Sequence, residues 1–219
     1  MIILGLTGSI GMGKSTAATM LRRMRLPIHD ADASIHKLLG PGGAAVAQVE
    51  AAFPGCTVEN SDGRRRVDRP KLGAQVFGNP AALKRLESIL HPMVGLVKRR
   101  FLERAARQRA HMVVLDIPLL FETNGDKSCD RSILVQAPPA IQAVRVLRRP
   151  GMTAARLAEI RARQMPDTAK RRRADFIVPT GLGRRVTLRG LRRIVTLLAA
   201  AEGCHWPPRP VPRWRRRRP

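Results

Sequence analysis

The sequence predicts an α/β protein of three layers, with a parallel five-stranded sheet between helices, an inserted helical substrate region and a helical lid. Two observations carry this reading. Short β-rich runs (Ile2–Leu6, Pro27–His29, Met112–Ile117, Ser132–Val135 and Phe176–Val178) alternate with helical patterns, as in a parallel sheet covered on both faces. The second and third runs are separated by far more chain than a simple crossover needs, so the residues between them read as an insertion. The 219 residues suit one domain of ordinary size with one inserted subdomain, and 44% hydrophobic content is enough for a core. Aromatic residues make up only 3% and Tyr is absent, so Ala, Leu, Val and Ile must fill the interior.

The core is assigned to about residues 1–32, 110–140 and 172–203, the insertion to about 33–109 and the lid to about 141–171. The longest helical stretch follows Asn79-Pro80, with Leu83, Leu86, Leu90, Val94, Val97 and Phe101 at spacings of three and four that mark one buried face. Pro92 is expected to kink or divide it. Gly40-Pro41-Gly42-Gly43 and Asn60-Ser61-Asp62-Gly63 punctuate the insertion with turns. From Gln142 to Lys170 the chain is helical in pattern and rich in arginine, broken at Pro150-Gly151; a lid over bound phosphates and a solvated helix pair both look like this. A closing helix from about Val186 to Ala201 turns Leu191, Ile194, Val195 and Leu198 inward. The Pro/Arg-rich tail, residues 204–219, is expected to be disordered.

Residues 8–15, Gly8-Ser9-Ile10-Gly11-Met12-Gly13-Lys14-Ser15, form the G-x-x-x-x-G-K-[ST] pattern of a phosphate-binding P-loop, with a strand before it and a helix behind. Glycines let the backbone curl so that its N–H groups converge on phosphates, Lys14 reaches the β- and γ-phosphates, and the Ser15 hydroxyl can ligate Mg²⁺. Asp30-Ala31-Asp32 ends the second strand at the carboxyl edge of the sheet. With that segment read as extended, one of Asp30 and Asp32 is expected to face the phosphates and accept the proton of an acceptor hydroxyl. The apolar run Met112–Leu115 ends in Asp116, which would hold Mg²⁺ through water or pair with Ser15. Pro118-Leu119-Leu120-Phe121-Glu122 follows; a core strand exit explains the leucines, and Phe121-Glu122 could equally line an acceptor pocket. Arg145 and Arg149, four apart, share a helical face suited to phosphate oxygens.

A net charge of +25 first suggests nucleic acid, held by phosphate contacts and counterion release. Arg far outnumbers Lys, however, Ala, Gly and Pro are also abundant, and the aromatic–basic interleaving of a stacking platform is missing. Nucleic acid is therefore not expected as the main partner; a positive field would steer small polyanions such as ATP into a cleft. Cys56, Cys129 and Cys204 fit neither a disulfide framework nor a zinc pattern, which favours a reducing cytoplasm. The five histidines show no metal-ligand spacing. No apolar run reaches the ~18–20 residues that span a bilayer, and no signal peptide is expected at the N-terminus.

Together these motifs resemble the dephospho-CoA kinase family over about residues 1–195. The resemblance rests on Gly5–Thr16, Asp30-Ala31-Asp32, Leu86-Glu87-Ser88-Ile89-Leu90-His91-Pro92, Pro118–Glu122, the Gln142–Arg145–Arg149 spacing, Gln164 and Ala174-Asp175-Phe176-Ile177. It implies a P-loop kinase fold and MgATP-dependent phosphorylation of the ribose 3′-hydroxyl of dephospho-CoA, the last step of coenzyme A biosynthesis. Carried onto this sequence, Gly11, Met12, Gly13, Lys14, Ser15 and Thr16 bind ATP, with Ser15 and Asp116 at the metal. Asp32 is the base, Lys14 and Arg149 act on the transferring phosphate, and His91, Leu119, Leu120, Glu122 and Arg145 serve the acceptor. The chain departs from the family at Gly95, where an arginine is usual, and at Pro179-Thr180-Gly181-Leu182-Gly183, where an Asn-and-Gly turn near the adenine is usual.

Overall fold

The computed structural model describes residues 1–207. In chain order the elements begin β1 (Ile2–Thr7), α1 (Lys14–Arg23), β2 (Ile28–Asp30), α2 (Ala31–Leu39), α3 (Val46–Ala52), β3 (Thr57–Glu59), β4 (Arg65–Val67) and α4 (Arg69–Val76). There follow α5 (Pro80–Arg107), β5 (Met112–Asp116), a 3₁₀ turn at Gly125–Ser128, β6 (Arg131–Gln136) and α6 (Pro139–Leu147). The last elements are α7 (Ala154–Arg163), α8 (Asp167–Arg173), β7 (Phe176–Pro179) and α9 (Arg184–Leu198). The described residues form two compact units: Met1–His29 together with those from Ala105 onward, and Asp30–Arg104.

The first unit is built on a five-stranded sheet in the order β2-β5-β1-β6-β7. Every residue of the central strand β1 is buried, which is why it reads as a continuous apolar run and not an alternating one. β1 pairs in parallel with β5, Ile2 opposite Met112 through Leu6 opposite Asp116, and with β6, Leu4 opposite Arg131 through Thr7 opposite Leu134. β7 adds in parallel to β6, Ile133 opposite Phe176. This register brings the ends of β1 and β5 to one carboxyl edge, where open α/β sheets bind their ligands. On the sheet pack Ala17 and Leu21 of α1 and Leu191, Ile194 and Leu198 of α9, the latter a single stripe at helical spacing. Asp175 bonds the Ser132 amide and hydroxyl, both at 2.7 Å, fixing the start of β7 to β6.

Beyond α9, the Asp130 carboxylate receives the amides of Ile3 (2.7 Å), Cys204 (2.6 Å) and His205 (3.1 Å), and His205 Nδ1 lies 2.9 Å away. Burial alone would push the Asp130 carboxyl up, but these donors hold it down at about 2. Cys204 and His205 are thus anchored to the sheet, although the sequence assigns them to a disordered tail. Residues 208–219 of that tail lie outside the described residues.

In the Asp30–Arg104 unit, Asp30 caps α2 by accepting the Ala33 amide, and Asp68 caps α4 by accepting the Lys71 amide. Leu38, Leu39, Val46, Val49, Phe53, Val67 and Leu72 make its core, covered by Leu86, Ile89, Leu90, Met93, Val94 and Val97 of α5. Three expectations are corrected here. The segment is not all helical: β3 and β4 form an antiparallel hairpin across the Asn60–Gly63 turn. With three residues per strand and only Val67 buried, the pair is too short to leave a period-two signal. Pro92 does not divide α5, a continuous helix of 28 residues; the proline is exposed, and apolar residues on both sides of it pack into the same core. Leu83, placed on the buried face by spacing, is 47% exposed. Among the described residues, no helix is long and apolar enough to cross a membrane.

Candidate active site

The P-loop joins β1 to α1. Gly11 and Gly13 take φ of +73° and +84°, a region that strains any residue with a Cβ. Gly13 stands at the N-cap of α1 with no side-chain cap, and no acidic residue lies in the helix's first turn. Open amides and the positive end of the helix dipole therefore meet at Lys14, Ser15 and Thr16, an arrangement that binds anions. Ser15 and Thr16 are exposed. Lys14 Nζ lies 2.6 Å from Oδ1 of the buried Asp116, placing ammonium and carboxylate together at the end of β5.

Side chains from α6–α8 and from the turn after β7 grip the loop's outer arm, residue by residue. Ser9 Oγ donates to Asp167 Oδ1 (2.7 Å) and accepts from Lys170 Nζ (3.1 Å). The Ile10 amide donates to Gln164 Oε1 (3.2 Å), and its carbonyl accepts from Gln142 Nε2 (2.8 Å). Arg161 in turn holds Gln142 Oε1 at 2.6 and 3.0 Å. The Gly11 carbonyl accepts from Arg145 (3.4 Å) and the Met12 carbonyl from the Thr180 hydroxyl (2.7 Å). The Met12 side chain is itself in the core. Such support sets the loop's shape before any ligand arrives, which lowers the ordering cost of binding.

Several residues expected at the site have other partners. Arg145, assigned to the acceptor, donates to the Thr180 carbonyl (2.7 Å) as well as to Gly11, so it ties the turn after β7 to the P-loop. Leu120, also assigned to the acceptor, is fully buried and closes over Gly5, where a Cβ would stand 2.7 Å from Leu120 Cδ2. Leu119 remains 41% exposed. Glu122 Oε1 accepts from Lys170 Nζ (2.8 Å) and the Met165 amide (3.0 Å). Burial opposes ionisation of Glu122, but the Lys170 ammonium and nearby amides outweigh it and hold the carboxyl below the usual carboxylate range. Arg149 is exposed just beyond α6.

In the Asp30–Arg104 unit the reading of residues 30–32 as extended is corrected. Asp30 is the cap, and Asp32 lies exposed in the first turn of α2. His91 is exposed on α5. Sequence reasoning missed Lys170, Asp167, Arg161 and Thr180. Lys170 and Arg161 are lost among 41 basic residues, and the one available signal is the three-residue spacing that puts Asp167 and Lys170 on one face of α8.

Residues 2–181 match the family described as Dephospho-CoA kinase. The chain belongs to the dephospho-CoA kinase family. A dephospho-CoA kinase from Rhodospirillum rubrum is 54% identical over 215 residues, covering 98% of this chain and 96% of that protein. A crystal structure from Thermus thermophilus superposes with a TM-score of 0.75 at 33% identity, covering 92% of this chain and 98% of the other. A dephospho-CoA kinase from Campylobacter jejuni, 21% identical, shares the fold with a TM-score of 0.58 over 90% of this chain and 96% of its own. Membership of the family makes the chain a kinase with a P-loop nucleotide site.

Proposed function

We propose that this chain transfers the γ-phosphoryl group of ATP to the ribose 3′-hydroxyl of dephospho-CoA, giving coenzyme A and ADP. The observation that carries the donor half is the uncapped N-terminus of α1 behind Gly13, with Lys14 beside it and the loop's outer arm already fixed. Loop amides of residues 11–16 grip the phosphates, and the Lys14 ammonium offsets the charge that spreads over the transferring group. Arg149 adds a second cation from the end of α6. Asp32 orients the 3′-hydroxyl and takes its proton as the new O–P bond forms and the bond to ADP breaks. His91, Leu119 and Glu122 remain the proposed acceptor side, whereas the roles of Arg145 and Leu120 become support of the loop and packing.

The Ser15 hydroxyl and the Asp116 carboxylate are hard oxygen donors at the mouth of the loop and fit Mg²⁺. When bound, Mg²⁺ supplies neutralisation of the β- and γ-phosphate charge. The three thiols and the use of ATP suit a reducing cytoplasm. An acceptor panel tests the reading: ATP with dephospho-CoA, with a nucleoside monophosphate and with shikimate, following ADP release and product mass. Turnover is expected with dephospho-CoA, and its absence there overturns the proposal.

A further inference from the structure

Lys170 has no exposed surface, which is rare for a lysine and sustainable only with partners for its ammonium. Those partners lie on two different segments. Nζ reaches Glu122 Oε1 at 2.8 Å, six residues past the end of β5, and Ser9 Oγ at 3.1 Å, in the first turn of the P-loop. One helical turn earlier on α8, Asp167 accepts the Ser9 proton at 2.7 Å. Ser9 therefore receives a hydrogen bond from a cation and gives one to a carboxylate, both from the same helix. This fixes its hydroxyl rotor and with it the entry of the loop. Well-packed apolar side chains often fill a buried site with no loss of stability, so an ion pair there is weak evidence of a purely stabilising role. What a three-donor cation adds is direction.

We propose that Lys170 is a positioning residue, its buried ammonium latching Ser9 of the P-loop to Glu122 at the exit of β5 so that the donor loop keeps a fixed place during phosphoryl transfer. The latch rests on the kinase reading above and deepens it. It acts through Ser9 and Glu122 and makes no hydrogen bond to the nucleotide-gripping residues 11–16.

The test is a double-mutant cycle of Ser9→Ala and Lys170→Met, reading kcat with dephospho-CoA, affinity for a fluorescent ATP analogue, and Tm. Lys170→Met is expected to lower kcat about 10- to 100-fold, the scale of a misplacement near 1 Å. Ser9→Ala leaves the Lys170–Glu122 pair in place, and is expected to lower kcat about 3- to 10-fold with little change in Tm. Both single variants should weaken nucleotide binding at least about threefold, and the double variant should fall no further than Lys170→Met. Multiplying single effects, or lowered Tm with kcat and affinity kept, would overturn the latch and leave only a stabilising role. Should Lys170→Met fail to fold by circular dichroism, Lys170→Gln, which keeps N–H donors without the charge, replaces it in the cycle. If the parent enzyme does not phosphorylate dephospho-CoA, the functional reading falls. The latch is then decided by nucleotide affinity alone: non-additive losses uphold it, and additive or absent losses refute it.

Discussion

Replacing Asp130 by Asn should weaken the fold without touching catalysis, and the size of the effect follows from the carboxylate's partners. Its oxygens accept the Ile3, Cys204 and His205 amides and face His205 Nδ1, and only 4% of the side chain is exposed. The carboxyl sits at about 2 in the folded protein against an ordinary 3.8. A depression of that size corresponds to about 2 kcal/mol of stability at neutral pH. Because the folded value lies below the unfolded one, this stability is present above pH ~4 and disappears as pH falls toward 2. An Asn at this position also turns an NH₂ group toward backbone donors, so the expected total loss at pH 7 is about 2–4 kcal/mol.

Urea unfolding of parent and variant at pH 7 and pH 3 measures this. The gap between them should be widest at pH 7 and shrink at pH 3, where roughly half of the ionisation contribution is gone. Turnover at 25 °C should stay within about twofold, because Asp130 precedes β6 at the sheet edge opposite the P-loop. A gap under about 0.5 kcal/mol at pH 7, or one equally wide at both pH values, would refute the reasoning.

Two further outcomes are expected. Asp32→Asn should keep ATP affinity while turnover falls by roughly 10²–10⁴, the usual worth of a general base; steady-state kinetics showing unchanged kcat would remove Asp32 from that role. Gly11→Ala places a Cβ 2.5 Å from Val146 Cγ2 and 3.2 Å from the Gln142 carbonyl at a φ of +73°. Strain and overpacking should together cost about 2–4 kcal/mol in denaturant unfolding and raise KM for ATP.

Much of the fold is legible because burial leaves a strong mark on sequence. Strands β1, β5 and β6 lie in the sheet's interior and their near-continuous apolar runs locate them within about a residue, as the stripe Leu191, Ile194, Leu198 locates α9. Where burial is slight the signal fades, so the β3–β4 hairpin was invisible. At Pro92 a local rule was overridden, because the packed faces on either side of the proline hold α5 together. The candidate site divides along the same line. Gly11, Gly13, Lys14 and Ser15 are one contiguous motif whose chemistry lies within a loop and the first turn of a helix, and it could be read without coordinates. Arg145 and Glu122 could be singled out as charged residues near the site, but their partners could not be named.

The sequence by itself determined the parallel α/β class, the phosphate-binding loop and the family, because each is encoded in local periodicity or contiguous residues. Tertiary structure alone decided which basic residues matter. Of 41 lysines and arginines, it buries Lys170 between Ser9 and Glu122 and turns Arg145 onto Gly11 and Thr180. Those contacts join residues 35 to 161 positions apart. A charge on a helix carries no local sign of which distant carbonyl, hydroxyl or carboxylate the fold will bring to it.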